Sequence, residues 1–188
     1  TASKVPYGVK MNAGETFTVE ELLKATAIRS SNNAAYALAE YVSHGDVYDF
    51  VDKMNERARS MGLDSLRYCT PHGLPPGNTG TCMDQGNAYD IYKLAMTAIQ
   101  YPEYMKIADK SSDYIKDGTI QLKATNNLLG KVEGVDGLKT GYHKAAGSNI
   151  VLTAERDGLR MIAVVMGSEK SKNRDTVGAD EINSFFST

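Results

Sequence analysis

The sequence predicts an α+β domain: a helical cluster over about residues 18–110, then a small antiparallel sheet with a terminal helix over about 134–188. Three observations carry this. Apolar residues recur at helical spacing through the first half. Two runs rich in β-branched residues, Asn149 to Glu155 and Leu159 to Met166, are joined by Arg156-Asp157-Gly158, and Asp-Gly is a strong hairpin signal. The tail from about Asp175 to Phe186 returns to helical spacing.

Thr18-Val19-Glu20-Glu21 is a capping box, in which Thr18 caps a backbone N–H and Glu21 reaches back; it opens a helix through about Ile28. A second helix starts near Asn32, carries Ala35, Leu38, Ala39 and Val42 on one face, and stops before Gly45. The third runs from Asp46 to Met61 with Val47, Phe50, Val51, Met54 and Ala58 inward, and Gly62 is its natural stop. Leu63 to Met83 reads as a long loop holding Pro71, Pro75, Pro76, Gly73, Gly77 and Gly80; loops of this length in compact domains are often functional. A fourth helix is expected over Asp84 to Gln100, with Ala88, Ile91, Leu94, Ala95 and Ala98 inward. Pro102 interrupts it, and Glu103 to Ala108 reads as a short helical turn. Gly134 to Gly141 reads as the first strand of the sheet, and the tail helix is expected to pack Ile182, Phe185 and Phe186. A three-stranded sheet leaves an exposed edge, so the helices call for a larger sheet than this chain supplies.

Composition narrows the function classes. With 188 residues and a net charge of −2, the chain is long enough for one domain and lacks the clustered basic face of a nucleic-acid binder. No apolar run approaches a bilayer span, and Thr1 to Lys10 has no apolar core of a signal peptide. The three histidines have no metal-ligand spacing, which argues against a zinc peptidase, and no metal or organic cofactor is implied. Cys69 and Cys82 flank the Pro/Gly-rich stretch, and two readings stand open: a disulfide, contributing roughly 3 kcal/mol for a loop of that size in an oxidising compartment, or two free thiols. His44 at a helix C-terminus, His72 in the loop and the mixed-sign stretch Ser168 to Lys172 read as structural or solvated.

Two short motifs carry the chemistry. Ser30-Ser31-Asn32 sits between two helices, and Lys139-Thr140-Gly141 ends a strand far along the chain. Alone, each is weak: Ser-x-Asn caps many helices, and Lys-Thr-Gly is a common strand-to-turn sequence. Together they match the second and third members of the set Ser-x-x-Lys, Ser-Asp-Asn and Lys-Thr-Gly. Further landmarks follow in order: Leu22-Leu23-Lys24, Asn33-Ala34, Met61-Gly62-Leu63, Thr70-Pro71-His72-Gly73-Leu74, Thr125-Asn126-Asn127-Leu128-Leu129, Gly134-Val135-Asp136-Gly137-Leu138 and Ala146-Gly147. Across the whole chain the sequence resembles the serine-type D-alanyl-D-alanine carboxypeptidases (peptidase S11), which are penicillin-binding proteins.

That resemblance implies a β-lactamase/transpeptidase-like fold whose N-terminal strands are missing from this chain. It implies an acyl-enzyme reaction on peptidoglycan stem peptides, with β-lactam antibiotics as mimics of the substrate. Ser30 would shuttle a proton to the leaving amine, and Asn32 would hydrogen-bond the substrate amide and the base lysine. Lys139 and the Thr140 hydroxyl would hold the terminal carboxylate. Gly141 would let substrate approach the strand, and the backbone N–H of Tyr142 or His143 would serve the oxyanion. The parent is expected to work outside the cytoplasmic membrane, with a possible membrane anchor beyond this chain.

Two departures stand out. His143 occupies a place where family members often carry threonine; it reads either as a hydrogen-bond donor to substrate or as a solvent-facing turn residue. No serine has a lysine three positions on, and Thr1-Ala2-Ser3-Lys4 lies too close to Ser30 to serve. The nucleophile, its base lysine and the opening strands are therefore expected outside the chain, which alone is not expected to form the family's acyl-enzyme. The alternatives are a non-catalytic module that binds stem peptides or β-lactams, a class A β-lactamase, disfavoured because no Glu-x-x-x-Asn stretch lies between the motifs, and, more remotely, a glutaminase.

Overall fold

A computed structural model describes residues 1–77 and 82–187. Gly80 of the long loop lies outside the described residues.

Helix α1 spans Val19–Arg29 and opens on the capping box: Glu21 N–H donates to Thr18 Oγ1 (3.1 Å) and Thr18 N–H to Glu21 Oε2 (2.8 Å). It ends at Ser30, which takes the left-handed conformation (φ 59°). Helix α2, Asn32–Val42, follows at once. Helix α3, Val47–Ser60, is capped by Asp46, whose carboxylate accepts from Tyr48 and Asp49 N–H. Helices α4, Ala88–Ala98, and α5, Pro102–Ala108, complete the cluster.

Three expectations in this half need correction. The fourth helix starts four residues later than the periodicity indicates, because the Asp84 carboxylate is taken by the backbone N–H groups of Cys69 (2.7 Å) and Thr70 (3.1 Å). Asn87 is the cap instead, and Ala88, expected inward, is exposed. Val42, also expected inward, is 48 % exposed in the last turn of α2.

A hairpin that the periodicity does not reveal follows α5. Strands β1, Ser112–Ile115, and β2, Ile120–Lys123, pair antiparallel and place Ile115 and Leu122 against Leu22, Ala25 and Ile28 of α1. Each strand buries a single residue, too little alternation to read.

The main sheet is β3, Val135–His143; β4, Gly147–Arg156; and β5, Leu159–Ser168, antiparallel in that order. Helix α6, Ser171–Phe186, begins four residues before the expected start, so part of the charged stretch is helical. On one face Ile150, Leu152 and Ala163 pack with Ile182 of α6. On the other, Val151 and Ile162 pack with Ala95 of α4 and Ala108 of α5. Gly178 allows α6 this close: a Cβ there would lie 2.6 Å from Leu152 Cδ1. Phe185, expected to pack inward, is 41 % exposed and meets Phe186 edge-on. Lys139 stands opposite Val151, so its side chain leaves the sheet on the face turned towards the helices.

Candidate active site

The two motifs meet. Lys139 Nζ donates to Ser30 Oγ at 2.7 Å across 109 residues of sequence, and also to the carbonyl of Thr140 at 2.6 Å. Helix α1 delivers Ser30 at its C-terminal end, and β3 delivers Lys139 from the facing strand. Burial of the ammonium, with a smaller contribution from the Arg174 guanidinium, lowers the Lys139 pKa from 10.5 to about 8. Among the described residues no carboxylate forms an ion pair with Lys139.

The middle of the first motif is structural. Ser31 is 1 % exposed; its hydroxyl donates to Asn33 Oδ1 (2.6 Å) and accepts from Val9 N–H (3.1 Å). Asn33 Nδ2 in turn donates to the Val9 carbonyl (2.8 Å). Gly8 fits this lock because a Cβ would fall 1.9 Å from Asn33 Oδ1. The flanking Ser30 and Asn32 stay half-buried, as groups that meet a ligand must. Asn32 Nδ2 donates to the carbonyl of Pro6 (3.1 Å), so one of its amide hydrogens is engaged by this chain.

The second motif is held from behind. Thr140 is 7 % exposed, and its Oγ1 lies 2.6 Å from Thr125 Oγ1. Thr125 N–H donates to the carbonyl of Ile28 (3.1 Å), which ties this support to the end of α1. Asn126 Nδ2 donates to the Gly137 carbonyl (3.4 Å) and its Oδ1 accepts from Leu128 N–H (3.0 Å). Gly141 has open space where a Cβ would stand, and Tyr142 is 70 % exposed. His143 Nδ1 accepts from Ala146 N–H (3.1 Å), so the ring caps the β3–β4 turn.

The loop is stapled near its ends. Cys69 and Cys82 are bonded, with Cα atoms 5.6 Å apart. Within it, Gly73 N–H donates to Thr70 Oγ1 (2.8 Å), and Leu74 N–H donates to His72 Nδ1 (3.1 Å). His72 stacks on Tyr36 of α2, and burial lowers its pKa to about 4, which keeps the ring neutral.

Sequence reasoning missed Arg174. It is 4 % exposed in α6, and its guanidinium donates to Asp175 Oδ1 (2.8 and 2.6 Å) and the Asn149 carbonyl (3.5 Å). Its field reaches Lys139. An unusually buried arginine is the signal, and burial is not visible in a charged helix start. No group of three or more His, Cys, Asp or Glu among the described residues is placed to hold a metal ion.

A family model described as D-alanyl-D-alanine carboxypeptidase, Peptidase S11, matches residues 2–170. The chain belongs to that family. This S11 chain is 35 % identical over 168 residues to D-alanyl-D-alanine carboxypeptidase DacF of Bacillus subtilis, covering 88 % of the chain and 42 % of DacF. It is 34 % identical over 168 residues to DacD of Escherichia coli, covering 88 % and 41 %. The chain thus spans about two fifths of the length of the curated relatives it matches. Among solved structures it resembles penicillin-binding protein D2 of Listeria monocytogenes in an ampicillin-bound form (TM-score 0.78, 30 % identity, 89 % of this chain and 68 % of that one). It also resembles a variant of the Streptomyces K15 DD-transpeptidase (TM-score 0.85, 26 % identity, 95 % and 72 %). The helical cluster and antiparallel sheet are therefore part of the fold that penicillin-binding proteins share.

Proposed function

We propose that this S11 chain supplies the Ser-x-Asn and Lys-Thr-Gly side of a serine-type D-Ala-D-Ala carboxypeptidase that trims peptidoglycan stem peptides. The observation that carries the proposal is the 2.7 Å contact between Lys139 and Ser30, which brings the two motifs together. Acyl transfer needs a nucleophile, a proton path, an oxyanion donor and an anchor for substrate. Ser30 and Lys139 form the proton path to the leaving amine. Lys139, as an ammonium, also attracts the terminal carboxylate, with the Thr140 hydroxyl as a second donor. Arg174 adds positive potential from behind the sheet. The open position at Gly141 lets substrate lie along β3, and the Tyr142 N–H serves the oxyanion. In this reading the acyl-accepting serine belongs to an upstream Ser-x-x-Lys.

Stem peptides and β-lactams are then the ligands, and the site of action is outside the cytoplasmic membrane. The bonded cysteines agree with an oxidising compartment. Among the described residues no helix is long and apolar enough to cross a membrane.

The test is to express the gene with its upstream sequence and measure fluorescent penicillin labelling and D-alanine release from a stem peptide. The proposal expects both, with label on a Ser-x-x-Lys serine and release lost in Lys139→Ala. Absence of label and of release from the longer protein overturns it in favour of a binding module.

A further inference from the structure

We propose that Asn149 of β4 is a positioning residue for the acyl-transfer reaction: its side-chain amide fixes the Gly141–Tyr142 peptide so that the Tyr142 N–H is aimed at the developing oxyanion. The inference rests on the carboxypeptidase reading of the site. Asn149 Nδ2 donates to the carbonyls of Gly141 (3.3 Å), Ala146 (3.4 Å) and Gly147 (3.0 Å), and its Oδ1 accepts from Gly167 N–H (2.9 Å). One amide therefore ties together the end of β3, the β3–β4 turn and the end of β5. Its orientation is unambiguous, because carbonyls meet one end of the amide and a backbone N–H meets the other.

The backbone around Asn149 is shaped to present this side chain. Ser148 pairs with Ser168 but Ile150 pairs with Val165, so β5 carries an extra residue opposite Asn149. A bulge of this kind leaves a backbone group without a ladder partner and re-aims a side chain, often beside an active site. Here Gly167, at φ 73°, supplies the N–H that Asn149 accepts. Gly147 lets the turn close onto the same end of β5, since a Cβ there would lie 2.8 Å from the Ser168 carbonyl oxygen.

A lock for the turn alone would need only Ala146, Gly147 and Gly167. The bond to Gly141 is the one that bears on the reaction. The Gly141–Tyr142 peptide is trans, so its C=O and N–H face opposite ways. Holding the carbonyl from β4 turns the Tyr142 N–H to the free edge of β3, where substrate is placed. This end of β3 has little hold of its own: Gly141 has open space where a Cβ would stand, and Tyr142 is 70 % exposed. Glycine's backbone is permissive, so the support has to come from β4. An oxyanion donor works by being aimed before charge develops. Acylation and deacylation both pass through an oxyanion, so a loosened donor lowers kcat whichever step limits it and leaves ground-state binding nearly unchanged.

The experiment uses the longer protein with its upstream sequence and a peptide ending in D-Ala-D-Ala, with kcat and KM for D-alanine release measured separately. Each variant is assayed at a temperature where circular dichroism shows it folded. Asn149→Ala should lower kcat at least about tenfold and leave KM within about threefold of the parent. Asn149→Asp has the same shape but turns an acceptor towards three carbonyls, and should lose at least as much. Asn149→Ser keeps one hydroxyl for Gly167 N–H, which preserves a variant to assay should alanine fail to fold, and it too should lose kcat. Gly178→Ala, in α6, is the control: it should lose stability and keep kcat. Folded Asn149 variants with kcat within about threefold of the parent, an effect confined to KM, or loss of folding in all three variants makes Asn149 a structural residue and overturns the inference. Any of these with an active parent leaves the carboxypeptidase reading intact. Absence of D-alanine release from the parent overturns that reading and this inference with it.

Discussion

Replacing Lys139 with methionine should remove a pH dependence of stability above neutral pH. Folding lowers the lysine pKa from 10.5 to about 8. At about 1.4 kcal/mol per unit, holding the ammonium in the fold costs about 3 kcal/mol at pH 7. Methionine has a similar length and no charge. It forfeits the contacts to Ser30 Oγ and the Thr140 carbonyl, two hydrogen bonds from a charged donor that together return about 3 kcal/mol. At pH 7 the two effects offset each other, and parent and variant should be of similar stability. The sign with pH follows from proton counting. Between pH 8 and 10.5 the unfolded chain binds more protons at this position than the folded one, so the native protein gains stability as pH rises through that window. The methionine variant has no such group, so relative to the parent it should lose about 2 kcal/mol from pH 7 to pH 9.5. Urea denaturation of both proteins at the two pH values measures this directly. A difference between the two proteins that does not change with pH would refute the reasoning.

Reducing the Cys69–Cys82 bond, which closes a loop with a sequence separation of 13, should cost about 3 kcal/mol. In a calorimeter that is a drop in Tm of about 10 °C on adding a thiol reductant, and an unchanged Tm would contradict it. Gly178→Ala should destabilise by about 1–3 kcal/mol despite alanine's better helix propensity, because the new methyl meets the fully buried Leu152 at 2.6 Å; chemical denaturation shows which effect wins. Acid should act through His72. Its folded pKa lies at about 4 against an ordinary 6.5, so its contribution is present above pH 6.5 and lost as pH falls towards 4. His72→Phe should keep the stacking on Tyr36 and lose less stability over that window than the parent does. Thr125→Val should leave the buried Thr140 hydroxyl without its partner and cost about 1–3 kcal/mol, whereas Thr125→Ser should cost less; paired denaturation curves decide it.

The sequence was legible where a local rule decides the structure. The Thr18–Glu21 capping box forms, the Asp157-Gly158 turn joins two long strands, and Gly62 follows the third helix as its spacing demands. It misled where one residue serves a distant partner. Asp84 looks like a helix start but holds the backbone of Cys69 and Thr70, so α4 begins only at Ala88. The β1–β2 hairpin did carry a signal, since Asp117-Gly118 sits at its turn with both residues at positive φ. Its strands bury one side chain each, so no alternation pointed to them. At the site, the motif pair was readable because two weak patterns occur in order. Arg174 was not, because its meaning lies in burial against β4, and charge alone is what a sequence displays.

The site concentrates what the rest of the fold avoids. Ser30 takes a backbone conformation that costs energy, and Lys139 gives up much of its hydration. Neither would persist on a loose support. Each is therefore backed by a polar side chain that is buried and satisfied: Ser31 with Asn33 and Val9 behind Ser30, Thr140 with Thr125 behind Lys139. Thr125 bonds the backbone at Ile28, two residues before Ser30, so the two supports share α1 as a common anchor. A shift at either support must change the distance between Ser30 and Lys139. The first motif thus divides by burial, with the sealed Ser31 setting geometry and the partly exposed Ser30 and Asn32 left to act on a ligand.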